Sequence, residues 1–488
     1  MLFKTLRIFL DCKLALALFI TLQTCGFNKK VTSRLLLAIS LCLPLMTAPA
    51  WAKEDLVKQD NPQAEEFHLS YEELDARWAK LYAEQKIIVL FQLVKKGEFE
   101  RAQGFLDTTK FGGGSALDAQ FLQALIYQNT GKHEEAAAGF REILTDHPNN
   151  QTARLQLAHT LYLMKEDVSA RHHFELALGS VSDPDTENVI RNFVDQIDRR
   201  KRLQIDAYVS IAPSTNFNQG TAQDIVYLNG RRFRIGDQGQ AKSGLGLRGG
   251  FNVGYRIPLA DRLDLVTSAG VNVREYDKDT YDDQSISAQV GPRYSFTLGS
   301  IGVYATMNQR WFGGKAYSKS TGVRAHIRTQ MTKRAISSFT AGYNLNRYET
   351  AKHSDGSTYY GSGYIDYYFS NASYARLLGG AAKSSAQYKH LDYISWNGGI
   401  GLYRELPWGV SLYAQARYTK RNYDGIFPFL TTSREDKQID LTGSLTKRDW
   451  NWRGFAPKFE YGYKRNISNV GLYDYNSHDV NVTLSKKF

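Results

Sequence analysis

Two periodicities divide the chain. From about residue 84 to 202 the apolar positions recur at helical spacing, and from 203 onward they recur every second residue. The helical stretch also repeats itself at a step of 34. Ala102, Ala136 and Ala170 form one series, and Leu106, Phe140 and Phe174 a second. Leu90, Ala124 and Ala158 form a third, and Leu93, Tyr127 and Leu161 a fourth. Gly97 and Gly131 mark the turn between helices in two copies, Lys165 holds that place in the third, and Pro148 closes the middle copy. This is tetratricopeptide spacing. Small residues stand where two helices approach closely, and a large residue four positions on fills the gap between neighbouring pairs. About three repeats are predicted, a short solenoid with a concave face suited to a peptide or a folded partner. A spacer role is the plainer alternative. Asp183-Pro184-Asp185 breaks the pattern, and a last helix over Thr186–Arg202 caps the stack.

After residue 202 the alternation is that of half-buried strands. Ile205, Ala207, Val209 and Ile211 set the pattern, Val410, Leu412, Ala414 and Ala416 continue it, and Val480, Val482, Leu484 and Phe488 end it, the terminal Phe488 resembling the sorting signal of outer-membrane barrels. An apolar outside with polar residues between is the signature of a transmembrane barrel. Fourteen strands are predicted, from 203–213 to 474–488. Links after the even strands are short, whereas Ser214–Lys242 and Asn422–Ser433 are long. Short periplasmic turns and long outer loops are the rule for such barrels. The phase requires the first strand to run outward, which puts the helices and Phe488 on the periplasmic side. The predicted fold class is therefore α+β multidomain: a short all-α tetratricopeptide solenoid, then a transmembrane antiparallel β-barrel of about 14 strands. On the inner face Arg324, His326 and Arg328 line one strand, Lys458 and Glu460 another, and Arg310 and Arg417 join them. These suit a hydrated conduit for a bulky polar client, or simply the polar lumen of any barrel.

Composition sharpens the picture. Of the 30 tyrosines, 26 follow residue 202, an enrichment attributed here to interfacial girdles. The three cysteines lie at 12, 25 and 42, so a chain processed after them has no thiol for a disulfide, a nucleophile or a thiolate metal site. Residues 31–52 read as an export signal, with Arg34, an apolar run and Ala50-Trp51-Ala52, which places cleavage between Ala52 and Lys53. The division is then 1–52 targeting, 53–83 lead segment, 84–202 periplasmic helical domain and 203–488 barrel. The net charge of +12 falls to +7 without the leader, either ordinary solubility charge or an affinity for acidic substrates or anionic lipid.

Chemical motifs give little. Gly244-Leu-Gly246-Leu-Arg-Gly249 matches a dinucleotide fingerprint but sits in an alternating strand with no helix after it. His172-His173 point to different helix faces, so a packing or solvated role is expected rather than a metal site. No catalytic motif is recognised, and neither enzyme activity, a cofactor nor a nucleic-acid partner is expected.

The order of parts resembles the surface lipoprotein assembly modulator family, Slam. The likeness rests on Gly131, Ala136, Phe140 and Pro148, continued at Ala158, Ala170 and Phe174, and on the barrel end VNVTLSKKF. It spans about 53–488. It implies a Gram-negative outer-membrane translocon that delivers surface lipoproteins, of the type binding host iron proteins or complement factors, from periplasm to cell surface. It also implies a lipoprotein client and a periplasmic carrier or chaperone, besides the outer-membrane lipid and barrel assembly machinery that any such barrel meets. Energy would come from client folding outside or from handover by carriers. The rival reading is a passive outer-membrane channel or polysaccharide exporter with a tetratricopeptide scaffold.

Overall fold

The computed structural model describes residues 71–485, apart from 182, 201, 229, 429, 449 and 451–455. Ala52 and Lys53, read as the cleavage pair, and Phe488, read as the end of the barrel signal, lie outside the described residues.

Among the described residues eight α-helices come first: α1 (Tyr71–Arg77), α2 (Ala83–Lys96), α3 (Phe99–Thr108), α4 (Gly114–Asn129), α5 (His133–Asp146), α6 (Gln151–Leu163), α7 (Asp167–Leu178) and α8 (Pro184–Arg200). The first begins within the stretch read as a lead segment. Helices α2–α3, α4–α5 and α6–α7 are three hairpins of the repeat. Ala102, Ala124, Ala136, Ala158 and Ala170 are buried where the helices meet, with Phe140 and Phe174 filling the gaps beside them. Leu106 packs at the margin of the first core and Tyr127 is half-buried under the Lys132 ammonium. The three turns are built alike. Gly97, Gly131 and Lys165 all take positive φ, at 85°, 82° and 63°. The next residue in each case, Glu98, Lys132 or Glu166, donates its N–H to the carbonyl five positions back at 2.9 Å. That bond closes a Schellman motif and satisfies a carbonyl the helix end would leave bare.

The strands follow. β1 (Leu203–Ile211) leads into a long loop that carries a hairpin of β2 (Ile225–Leu228) and β3 (Arg231–Arg234). Then come β4 (Gly246–Ala260), β5 (Leu263–Tyr276), β6 (Asp283–Phe296), β7 (Gly299–Phe312), β8 (Lys315–Thr332), β9 (Ala335–Tyr348) and β10 (Gly356–Ser370). β11 (Ser373–Ala386), β12 (Tyr393–Leu406), β13 (Val410–Ile426), β14 (Ser433–Lys447), β15 (Ala456–Ser468) and β16 (Tyr475–Ser485) complete the set. All but β2 and β3 close into one antiparallel barrel of fourteen strands, each paired to its sequence neighbour and β16 returning to β1. Every backbone polar group in such a wall finds a partner in the next strand, which lets it cross a membrane. The outward side chains are apolar and exposed, Val209, Phe251, Val323, Leu377 and Ile400 among them. The long loop folds back over its own end of the barrel. Thr215 donates its N–H to the His478 carbonyl at 3.0 Å, and Phe217 stacks on Tyr276 at 4.1 Å.

Candidate functional site

The repeat helices dock on the short-turn end of the barrel through groups contributed by both. Helix α6 is buried almost all round, Arg154 included. Its side chain reaches Glu405, near the inner end of β12, with Nη2 to Oε2 at 2.7 Å and Nη1 to Oε1 at 3.4 Å. Arg154 also donates to the Pro148 carbonyl at 2.6 Å and meets His173 Nδ1 at 3.1 Å. From the barrel side Arg448 lies 2.5 Å from Glu405 Oε2, and the Tyr403 hydroxyl donates to Oε1 at 3.1 Å. Both Arg154 and Glu405 side chains are 0% exposed. A charge so placed is stable only with partners of opposite sign around it.

Around this cluster lies an apolar and aromatic seal. Leu176 of α7 packs with Ile336, Tyr368 and Tyr403, flanked by Tyr374 and Tyr413. Tyr374 stacks on Tyr403 at 4.9 Å. Gly179 passes so close to Tyr368 that a Cβ there would lie 2.6 Å from the tyrosine Cβ. These tyrosines face inward, so the enrichment attributed to girdles belongs in part to the joint. A second set of contacts is ionic. Glu175 accepts from Arg328 at 2.6 Å, Glu187 pairs with Lys333 at 2.5 Å, and Arg191 donates to Gln330 at 2.6 Å. Asn371, in the turn between β10 and β11, donates to the Asn149 carbonyl at 3.2 Å and touches Ser180.

On the repeat side of the joint, burial holds His172 and His173 below the ordinary imidazole range, and the Arg154 guanidinium pushes both further down. His159 in α6, half-buried and near His133, is pushed down to about 4 by loss of hydration.

The residues singled out from sequence fall into separate places. Arg324, His326 and Arg328 share the inner face of β8; Arg324 donates to Gln289, His326 meets Thr340 at 3.0 Å, and Arg328 belongs to the joint. Arg310, toward the loop end of β7, forks onto Asp283 at 2.7 and 2.8 Å. Arg417 faces Asp440 at 3.4 Å, and Lys458 binds Glu460 at 2.7 Å on β15. Ala136, Phe140, Ala158, Ala170 and Phe174 form the interior of the repeats, Gly131 stands exposed at a turn, and Pro148 lends its carbonyl to the joint. Among the described residues no group of three or more metal-ligand side chains converges.

Sequence reasoning passed over Arg154 and Glu405. An arginine within the otherwise apolar buried face of QTARLQLAHTLYL was a signal that a partner existed, because unpaired arginine is almost never buried. The alternating pattern predicts that Glu405 falls in the short link after an even strand, whereas β12 continues to Leu406 and keeps the carboxylate inside.

The family profile described as Surface lipoprotein assembly modifier matches residues 204–488, and the profile for its N-terminal TPR repeats matches 115–174. Surface lipoprotein assembly modifier 1 of Haemophilus influenzae is 21% identical over 384 residues, 76% of this chain and 77% of that one. The Surface lipoprotein assembly modifier of Pasteurella multocida is 23% identical over 392 residues, 76% of each chain. Among solved structures, a bacterial polysaccharide outer membrane secretin aligns with 57% of this chain and 98% of its own at 9% identity and a TM-score of 0.32. With its closed fourteen-strand barrel in the outer membrane and its leading helical repeats, a transport architecture rather than an enzymatic one, the chain belongs to the surface lipoprotein assembly modifier family.

Proposed function

We propose that the protein is an outer-membrane translocon that carries lipoproteins from the periplasm to the cell surface, its repeat domain in the periplasm receiving the client or the carrier that brings it. The observation that carries this reading is the joint itself. The repeat helices sit against the short-turn mouth through inward-facing barrel residues, Tyr368, Tyr403, Glu405 and Arg328. A domain placed there meets whatever enters before the lumen does. The names of these relatives, surface lipoprotein assembly modifiers, support a lipoprotein client. Clients that bind host iron proteins or complement factors fit the same reading. So do a periplasmic carrier or chaperone and insertion by the barrel assembly machinery.

The test is surface display. A lipoprotein is co-expressed in cells with and without this chain, external protease removes what is displayed, and total lipoprotein is blotted as control. Display that requires the chain, and that fails when 84–200 are deleted while the barrel still assembles, supports translocation with capture by the repeats. Equal display in both strains, with an open solute-selective conductance of the purified protein, returns the passive-channel reading.

A further inference from the structure

One wall of the lumen is predominantly basic. In register, Arg248 and Arg256 of β4, Arg274 of β5, Arg293 of β6 and Arg324 and Arg328 of β8 all take the inward position. Only two carboxylates, Asp264 and Asp283, share the inner face of these strands, and Asp283 is already taken by Arg310. Arg248 even stands directly opposite Arg274, an arrangement that costs stability in a sheet. The Nε atoms of Arg248, Arg293 and Arg324 are buried and have no hydrogen-bond partner among the described residues.

The wall has a shaped centre. Asp264, Arg293, Gly302 and His326 are successive cross-strand neighbours on β5, β6, β7 and β8. Gly302 leaves the floor bare, and the Tyr304 hydroxyl lies over it, so near that a Cβ would sit 2.1 Å away. Arg324 stands 5.8 Å over the Tyr304 ring on one side and Arg293 flanks the glycine on the other. Arg256 leans on Asp264 at 3.7 Å. At the mouth end the wall already holds protein oxygens. Arg328 grips Glu175, and Arg256 donates to the Asp198 carbonyl, both from the repeat domain.

We propose that this arginine wall is a binding track for an acidic polypeptide segment, with Glu175 of the repeat domain occupying its mouth position until such a segment displaces it. The proposal rests on the translocon reading for the source of the segment. Guanidiniums that outnumber the carboxylates on a hydrated face attract anions over several ångströms and bind carboxylates through paired N–H groups. The group seen on the wall is a carboxylate on a polypeptide, which favours an acidic segment over a phosphorylated head group.

The test uses the full chain in nanodiscs and a fluorescein-labelled octapeptide of alternating glutamate and aspartate, read by anisotropy. Its glutamine–asparagine counterpart and glycerol phosphate serve as comparisons. Loss of three charge-assisted contacts in R256Q/R293Q/R324Q weakens the acidic peptide by about tenfold or more. E175Q, which frees Arg328, tightens it, and salt weakens wild-type binding. Heat-modifiable gel mobility checks that each barrel has folded. A charge-retaining triple variant, R256K/R293K/R324K, binds more tightly than the glutamine variant. Equal binding by wild type and the glutamine variant, equal loss in the lysine variant, equal binding of the neutral peptide, or displacement by glycerol phosphate at matching concentration overturns the proposal. Display measured in the same strains separates the two readings. Binding that follows the wall while display ignores the chain removes the translocon and leaves the track; display that needs the chain while binding ignores the wall does the reverse.

Discussion

Single residues decide how the helices turn and how they attach. Lys165 holds a left-handed conformation that Gly97 and Gly131 hold in the other two copies, with the same closing hydrogen bond. A side chain with a Cβ is strained there, and glycine is not. Lys165→Gly is expected to stabilise the repeat domain by about 0.5–1 kcal/mol, after the entropy glycine adds to the unfolded chain. Chemical unfolding followed at 222 nm, where the helices dominate, checks it. Arg154 carries more. Removing it leaves Glu405 buried with only Arg448 and the Tyr403 hydroxyl to hold it, and breaking a buried pair from one side costs about 3–5 kcal/mol. Arg154→Met is therefore expected to undock the repeats and expose the connection to β1 to trypsin, while Arg154→Met with Glu405→Gln recovers part of the protection. The small alanines and the glycine turns were legible at this scale because a fixed step repeats them. The Arg154–Glu405 pair was not, because its two halves lie 251 residues apart and belong to different periodicities.

Among elements, the barrel strands were the most legible, since a strand that faces lipid on one side and water on the other must alternate. The hairpin of β2 and β3 was missed. Its strands are four residues each, too short for alternation to register, and the turn signal Asn229-Gly230 inside the long loop went unused. Helices α6 and α7 have a property no period announces, buried imidazoles kept neutral. His159 is pushed down to about 4, and His172 and His173 are lowered by burial among Arg154, Arg141 and Arg448, with Glu405 and Glu175 opposing the shift at His172. An unfolded histidine titrates near 6.5. Below that pH the unfolded helices bind protons that the folded ones refuse, so stability falls as the pH drops from about 6.5 toward about 4 and is fully present above about 7.5. The helical melting midpoint of the full chain in detergent is expected to decline over that acid range and to be flat above it. His173→Gln is expected to make the decline shallower; a midpoint independent of pH contradicts this account.

At the scale of the molecule, the two modules share a single seal, and the seal has the chemistry of something that can be broken. Its aromatic part would hold any closed mouth. Its ionic part, Arg328 with Glu175 and Lys333 with Glu187, keeps its cations partly open to solvent, where another anion can compete for them. A permanent joint has no use for exchangeable carboxylates at the entrance of a basic lumen, whereas a domain that must leave the mouth to admit a client does. Ser180 and Asn371 touch across the joint, one from the repeats and one from a barrel turn. With Cys12, Cys25 and Cys42 replaced by serine, Ser180→Cys with Asn371→Cys is expected to form a disulfide that fixes the repeats on the barrel. Surface display of the client should then fall under oxidising conditions and return on adding a membrane-permeant reductant, while either single variant displays normally. A locked chain that displays as well as the unlocked one would make the joint a fixed scaffold, with entry to the lumen beside the repeats rather than through the space they cover.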